Sequence, residues 1–263
     1  MRLLVLTSCG FGTALALIAA PAAAERYSAS GARLDYIAAE LTVIAEDRAD
    51  IDVSISPAGR LPAPTVRVEG DRVVIDGGLR NRLQGCTSTL AGGERVRVRG
   101  LGNVARTDLP RITLRTPRTL NLSIGGAVYS SIGASAGGSV AHNGCGDTDI
   151  ADVSGALDVA LNGSGDVDVT RVTGALNAAL NGSGSLTVAR ADSDAELRLN
   201  GSGDLRAGAV RGDVDAVLAG SGGLRVESAH NALLRLNGSG NVEMGDVPGT
   251  IDARLAGSGG IRV

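Results

Sequence analysis

The sequence predicts an all-β fold, a single-stranded parallel β-helix (solenoid) with 19-residue coils and Gly-Ser-Gly corners, and three observations carry that expectation. The first is repetition. Asn143, Asn162, Asn181, Asn200, Ala219, Asn237 and Ala256 each open a Gly-Ser-Gly or Gly-Cys-Gly phrase, at steps of 19, 19, 19, 19, 18 and 19. Self-similarity at such a period marks a solenoid, whose units bury their apolar faces only by stacking on neighbours. The second is period two within a unit: Leu157, Val159 and Leu161 alternate with Asp158 and Ala160, then Val167 and Val169 with Asp166 and Asp168. Alternation of that kind is strand, not helix. The third is the constancy of the spacing, which a coil requires because a one-residue slip would turn charges inward. A meander of hairpins joined at Asn-Gly turns has no such requirement. Right-handed winding is expected from the handedness of parallel crossovers.

In chain order, residues 1–24 read as a signal peptide: one Arg, an apolar run to Ala20, Pro21, then an A-x-A arrangement before Glu25. Leu6-Thr7-Ser8-Cys9 has the letters of a lipoprotein box but precedes most of the apolar core. No later apolar run is long enough to cross a bilayer, and the last residues continue the repeat where a self-exporting protein would carry barrel strands. An exported chain, periplasmic or at the cell surface, is expected.

Residues 25–139 are expected to form an irregular β part that caps the solenoid. Strands are expected near 41–44, 51–55, 65–68, 73–75, 95–99, 112–115 and 120–124. Leu34, Ile37, Leu41 and Ile44 also fit helical spacing, so that stretch stays ambiguous. Residues 140–263 are expected to form about seven regular coils, a rod of roughly 30 Å at about 4.8 Å per stacked strand. Glycine suits the corner by reaching positive φ. The leading Asn143, Asn162, Asn181, Asn200 and Asn237 are expected to brace the corner by bonding backbone or the polar residue four places on.

The part after residue 24 has 24 Arg, 28 Asp plus Glu and no Lys. Residues 60–118 hold twelve Arg against five acids, and residues 141–263 nine Arg against sixteen acids. A basic middle attracts phosphate-bearing polymers; equally, arginines decorate the outer faces of strands. Nucleic acid is not expected, because only Tyr27, Tyr36 and Tyr129 could stack on bases.

Cys86 and Cys145, an even pair in an exported chain, are expected to form a disulfide that pins the loop around Cys86 to the first corner. His142, Cys145 and Asp147 lie close in sequence, but His230 is several coils away and four zinc ligands are not at hand. Calcium repeats of the G-G-x-G-x-D type recur every nine residues, and here the acids at Asp166 and Asp168 become Ser185 and Thr187. No metal, no cofactor and no catalytic residue is therefore assigned.

The run of LNGSGDVDV phrases after LPRITLRTPRTLNLSIGGAV, with the block GCGDTDIADVSGAL, resembles the putative auto-transporter adhesin, head GIN domain family of bacterial envelope proteins. That resemblance implies a β-helical domain exported beyond the inner membrane. The expected function is a non-enzymatic structural or adhesive module that binds an envelope polymer or protein. The alternative is a polysaccharide-active β-helix enzyme, disfavoured because acids are spread by repeat position and the repeats lack aromatic residues for sugar stacking. Edge-to-edge homo-oligomers through an open terminal strand are a further expectation.

Overall fold

The computed structural model describes residues 24–57, 59–89 and 93–263, so the signal-peptide expectation falls almost wholly outside the described residues. The fold is a parallel β-solenoid of about eight turns with coils of about 19 residues. Its first strands are β1 (Glu25–Tyr27), β2 (Gly31–Glu46), β3 (Ile51–Ser56), β4 (Thr65–Glu69) and β5 (Arg72–Asp76). Next come β6 (Leu83–Thr89), β7 (Gly93–Val98) and β8 (Gly102–Ala105), an antiparallel three-stranded sheet inserted between β5 and β9 (Arg111–Pro117). Strand β10 (Thr119–Ile132) then leads into β11 (Gly137–Cys145) and β12 (Asp147–Ile150), where the regular coils begin.

Each later coil gives one strand to each of two faces. On one face lie β13 (Leu157–Leu161), β15 (Leu176–Leu180), β17 (Ala195–Leu199), β19 (Val214–Leu218), β21 (Ala232–Gly238) and β23 (Ile251–Gly257). On the other lie β14 (Asp166–Val169), β16 (Ser185–Ala191), β18 (Asp204–Val210), β20 (Gly223–Ser228), β22 (Asn241–Asp246) and β24 (Gly260–Arg262). Every pairing along these two ladders is parallel and in register, Leu161 against Leu180 and Val167 against Leu186, for example. A third, single-residue ladder joins Ser135, Val153, Val172 and Ala191.

The register stacks like on like. Leu161, Leu180, Leu199, Leu218 and Leu236 form one buried column, and Val167, Leu186, Leu205, Leu224 and Val242 another. At roughly 1.5–3 kcal/mol per buried aliphatic side chain, these columns favour vertical stacking over any register that exposes them. The last coil breaks the pattern: Ile251 and Leu255, at inward positions, are 37% and 52% exposed.

The other end is interleaved. Strand β2 runs across both faces and pairs in parallel with β10 above it. Below it lie β5, against Gly31–Asp35, and β9, against Glu40–Glu46. Antiparallel β4 on β5, β3 on β9 and β1 on β3 then close this end. Arg48, with Glu46, Asp50 and Asp52 around its guanidinium at 2.9, 2.8 and 2.6 Å, holds the β2–β3 turn.

The stretch with helical spacing is the long strand β2. Tyr36, with φ of 49°, bulges out, opposite a register shift between Ile124 and Gly126. The bulge resets the alternation, so Leu34 and then Ile37, Ala39, Leu41 and Val43 point inward. The step of three at the bulge is what imitates a helix.

Candidate interaction surface

Some corners need glycine for the reason expected from sequence, with φ of 99° at Gly146, 155° at Gly220 and 140° at Gly257, and the others need it for a different one. Gly163, Gly182 and Gly201 are not among the positive-φ residues. A Cβ on Gly182 would instead sit 2.0 Å from the carbonyl oxygen of Gly163, and one on Gly201 2.2 Å from that of Gly182. Backbone stacks directly on backbone here, and any side chain would wedge the coils apart.

The corner asparagines bond along the stack, not across the corner. Asn162 Nδ2 donates to Asn143 Oδ1 at 2.8 Å, Asn181 to Asn162 at 2.9 Å and Asn200 to Asn181 at 3.0 Å, while Asn143 donates to Ser123 Oγ at 3.2 Å. Vertical register brings identical amides within reach, and each amide has both a donor and an acceptor to offer. Ala219 interrupts the ladder, and Asn237 pairs in register with Ala256. The polar residue four places on serves the next coil: Asp166 Oδ1 accepts the backbone N–H of Ser185 at 3.0 Å.

Outward positions on the β13–β23 face form two further columns. One runs Asp158, Asn177, Glu196, Asp215, Leu233, Asp252, and the other Ala160, Ala179, Arg198, Val217, Arg235, Arg254. Residues two apart share a strand face, so Glu196 pairs with Arg198 and Asp252 with Arg254, while Asp215 reaches Arg235 of the next coil at 2.9 Å. Beside the first column, Asp194 accepts the N–H of Asp213, Asp213 accepts from Asn231 Nδ2, and Asn231 accepts the N–H of Thr250. Between these two polar rows lies an open groove of about 510 Å³, floored by Ala195, Val214 and Ala232, with Leu233 in the first row as its apolar wall position. It runs along the stack, crossing successive coils at right angles to the strands.

A second polar cluster lies where the inserted sheet docks. The Cys86–Cys145 disulfide, with Cα atoms 5.8 Å apart, ties β6 to the first corner. Next to it Arg106 donates to Glu40 at 2.9 Å and Glu94 at 2.5 Å, and its guanidinium lies 4.6 Å from the centre of the Tyr129 ring. Burial and a hydrogen bond with Glu94 push the Asp147 carboxyl up to about 6. Burial disfavours the charge on Glu94 too, but hydrogen bonds from Arg106 and Asp147 outweigh it and hold this carboxyl below its ordinary value. The two carboxyls lie beneath a sheet that buries Tyr129 to 3% exposure, and Asp147 is the one of the pair that takes up a proton first as pH falls. Their neighbours are the protein's own groups, so the cluster latches one element onto another. Sequence reasoning missed Glu40, Glu94, Arg106 and Tyr129 here because they come from four separate segments; Asp147, two residues from Cys145, was the one local signal.

His142 points into the solenoid, 1% exposed, with Nδ1 2.8 Å from Thr148 Oγ1 and Nε2 without a partner among the described residues. Burial lowers its pKa. The structure therefore does not gather His142, Cys145 and Asp147: the imidazole faces inward, the sulfur is in a disulfide and the carboxyl is on Glu94. Among the described residues no group of three or more His, Cys, Asp or Glu could hold a metal ion, and no helix is long and apolar enough to cross a membrane.

Residues 159–263 match the family described as "Putative auto-transporter adhesin, head GIN domain". The matched residues cover the coils from β13 onward. A crystal structure of a putative lipid binding protein from Parabacteroides distasonis is similar over 92% of this chain and 96% of its own, with a TM-score of 0.66 and 20% identity. A putative adhesin from Parabacteroides merdae is similar over 92% and 95%, with a TM-score of 0.58 and 14% identity. Another from Parabacteroides distasonis gives 91% and 95%, 0.53 and 15%. At these identities the likeness shows the fold alone: the matched residues and the strands before them share one solenoid fold with those proteins. Among curated proteins none matches the chain.

Proposed function

We propose that the protein is a non-enzymatic, exported adhesin-like module that holds an extended envelope polymer or protein segment along the groove beside the β13–β23 face. The observation that carries this reading is the groove itself, about 510 Å³, walled by Asn177, Glu196, Asp215 and Asp252 on one side and Asp194, Asp213 and Asn231 on the other. Its direction suits a linear partner, which meets a similar set of carboxylate and amide acceptors at each coil and gains affinity from many weak contacts. The adhesin family match and the adhesin-like neighbours support the same reading, as does the sequence pattern of residues 1–24. The partner is expected to be rich in hydrogen-bond donors.

A glycan array and envelope-polymer pull-down with the intact chain test this, using Glu196→Gln/Asp252→Asn and, as a blocking change, Leu233→Arg. Specific binding weakened by both variants, with unchanged melting, is the expected result. Binding that survives both variants, or turnover of any bound glycan, overturns the reading.

A further inference from the structure

We propose that the outward face of the inserted three-stranded sheet is a cationic docking surface for the phosphate headgroups of an anionic lipid leaflet. This inference is independent of the groove. Half of the twelve arginines of the basic segment have acids: Arg67 pairs with Glu69, Arg80 with Asp76, Arg106 with Glu40 and Glu94, Arg111 with Glu40, Arg115 with Glu46 and Arg118 with Asp47, while Arg72 donates to Asn121. Arg82, Arg97 and Arg99 differ, since among the described residues none of them has a carboxylate within ion-pair distance.

The sheet gathers these three on one side. Val96 and Val98 are buried against the solenoid at 0% and 1% exposure, so Arg97 between them points away from it, and Arg99 follows with the same parity into an exposed turn. Arg97 pairs in register with Gly85 on one side and Asn103 on the other, neither of which carries charge. Arg82 Nε donates to the Arg99 carbonyl at 3.2 Å, which holds the Arg82 guanidinium against the backbone at the corner of the sheet where Arg99 stands. Arg80 lies two residues away, its guanidinium 4.9 Å from the Tyr36 ring centre. The remaining described outward positions of the sheet, Gln84, Thr87, Arg95, Asn103 and Ala105, contribute no acid.

Shape and charge select the occupant. The outer side of a short three-stranded sheet is a gently twisted, open face, and cations spread over an open face complement the phosphates spread over a leaflet surface. It has no groove to enclose a strand and no aromatic side chain at these outward positions for stacking bases. The reverse side is fixed by the Cys86–Cys145 disulfide and the Arg106–Glu94 pair, so the cations are presented without the cost of ordering a loop.

The test is flotation of the intact protein with vesicles of phosphatidylcholine alone and of phosphatidylcholine mixed with phosphatidylglycerol, at low and at physiological ionic strength. Binding is expected only to the mixed vesicles, weakening as salt is raised. Arg97→Ala/Arg99→Ala is expected to bind roughly thirtyfold more weakly, from the usual contribution of an arginine near an anionic surface. Arg206→Ala/Arg225→Ala, on the solenoid, is expected to bind as the parent does. Absence of binding to mixed vesicles at low salt overturns the proposal, as does salt-independent binding of the parent protein. Equal binding by the Arg97/Arg99 variant with unchanged melting, or tighter binding of a DNA duplex than of mixed vesicles, also overturns it.

Discussion

His142 occupies a column position that the next coil fills with Leu161 and the preceding one with Ile124. An imidazole there leaves Nε2 buried and unpaired, which costs about 1–3 kcal/mol. Its pKa is lowered in the folded protein while the unfolded chain titrates at the ordinary value near 6.5. As pH falls below about 6.5 the unfolded state binds the proton first, so the stability present above that pH is progressively lost. His142→Leu is expected to raise stability by about 1 kcal/mol at neutral pH, with the gap between variant and parent widening as pH is lowered towards 5. Denaturant titrations at several pH values check this, and a gap that stays constant would show that His142 is not the responsible group. The asparagine ladder gives a second residue-scale prediction. Asn181 makes two amide bonds and Asn237 stands outside the run, so Asn181→Ala should cost about 1 kcal/mol and Asn237→Ala a few tenths by the same measurement.

At the scale of the element, backbone contact between corners sets the tolerance of each glycine. Gly182→Ala forces a methyl group onto the Gly163 carbonyl and is expected to destabilise by more than about 3 kcal/mol. Gly78→Ala, at φ of 67° with open space around it, is expected to cost only about 1–2 kcal/mol of backbone strain. Thermal melts of the pair separate the two causes, and equal losses would remove the argument from stacking. The inserted sheet makes a different prediction. The disulfide closes a separation of 59 residues, and losing it by Cys86→Ser/Cys145→Ser should cost about 4 kcal/mol. Ser suits the corner, where Ser164 stands in the next coil, so hydrogen exchange should rise over residues 83–105 and change little beyond residue 157. These elements were not equally legible in the sequence. Strands β13 to β24 could be read because each coil repeats one alternation, and the cysteine pair because only two cysteines follow residue 24. Strand β2 was obscured by the bulge at Tyr36. The Glu94–Arg106–Asp147 latch could not be read at all, because nothing in the local spacing brings β7, the turn at Arg106 and β12 together.

The molecule as a whole behaves as a stack in which each coil is stabilised by its two neighbours. The last coil has one neighbour and exposes Ile251, Leu255 and Val263. Amide exchange is therefore expected to be fastest, within the regular coils, over residues 251–263 and slowest near β15 to β18; uniform protection from end to end would contradict nearest-neighbour stabilisation. The opposite end obeys a different logic. Strand β2 comes early in the chain, yet in the finished stack it is sandwiched between strands translated later, β5 and β9 beneath and β10 above. Trimming the chain from its start past residue 46 would thus pull a rung from inside the ladder, parting the capped base from the regular coils. The ribosome releases β5 and β9 first, which cover one edge of that rung, and its other edge stays unpaired until β10 emerges, when about half of the chain has been made.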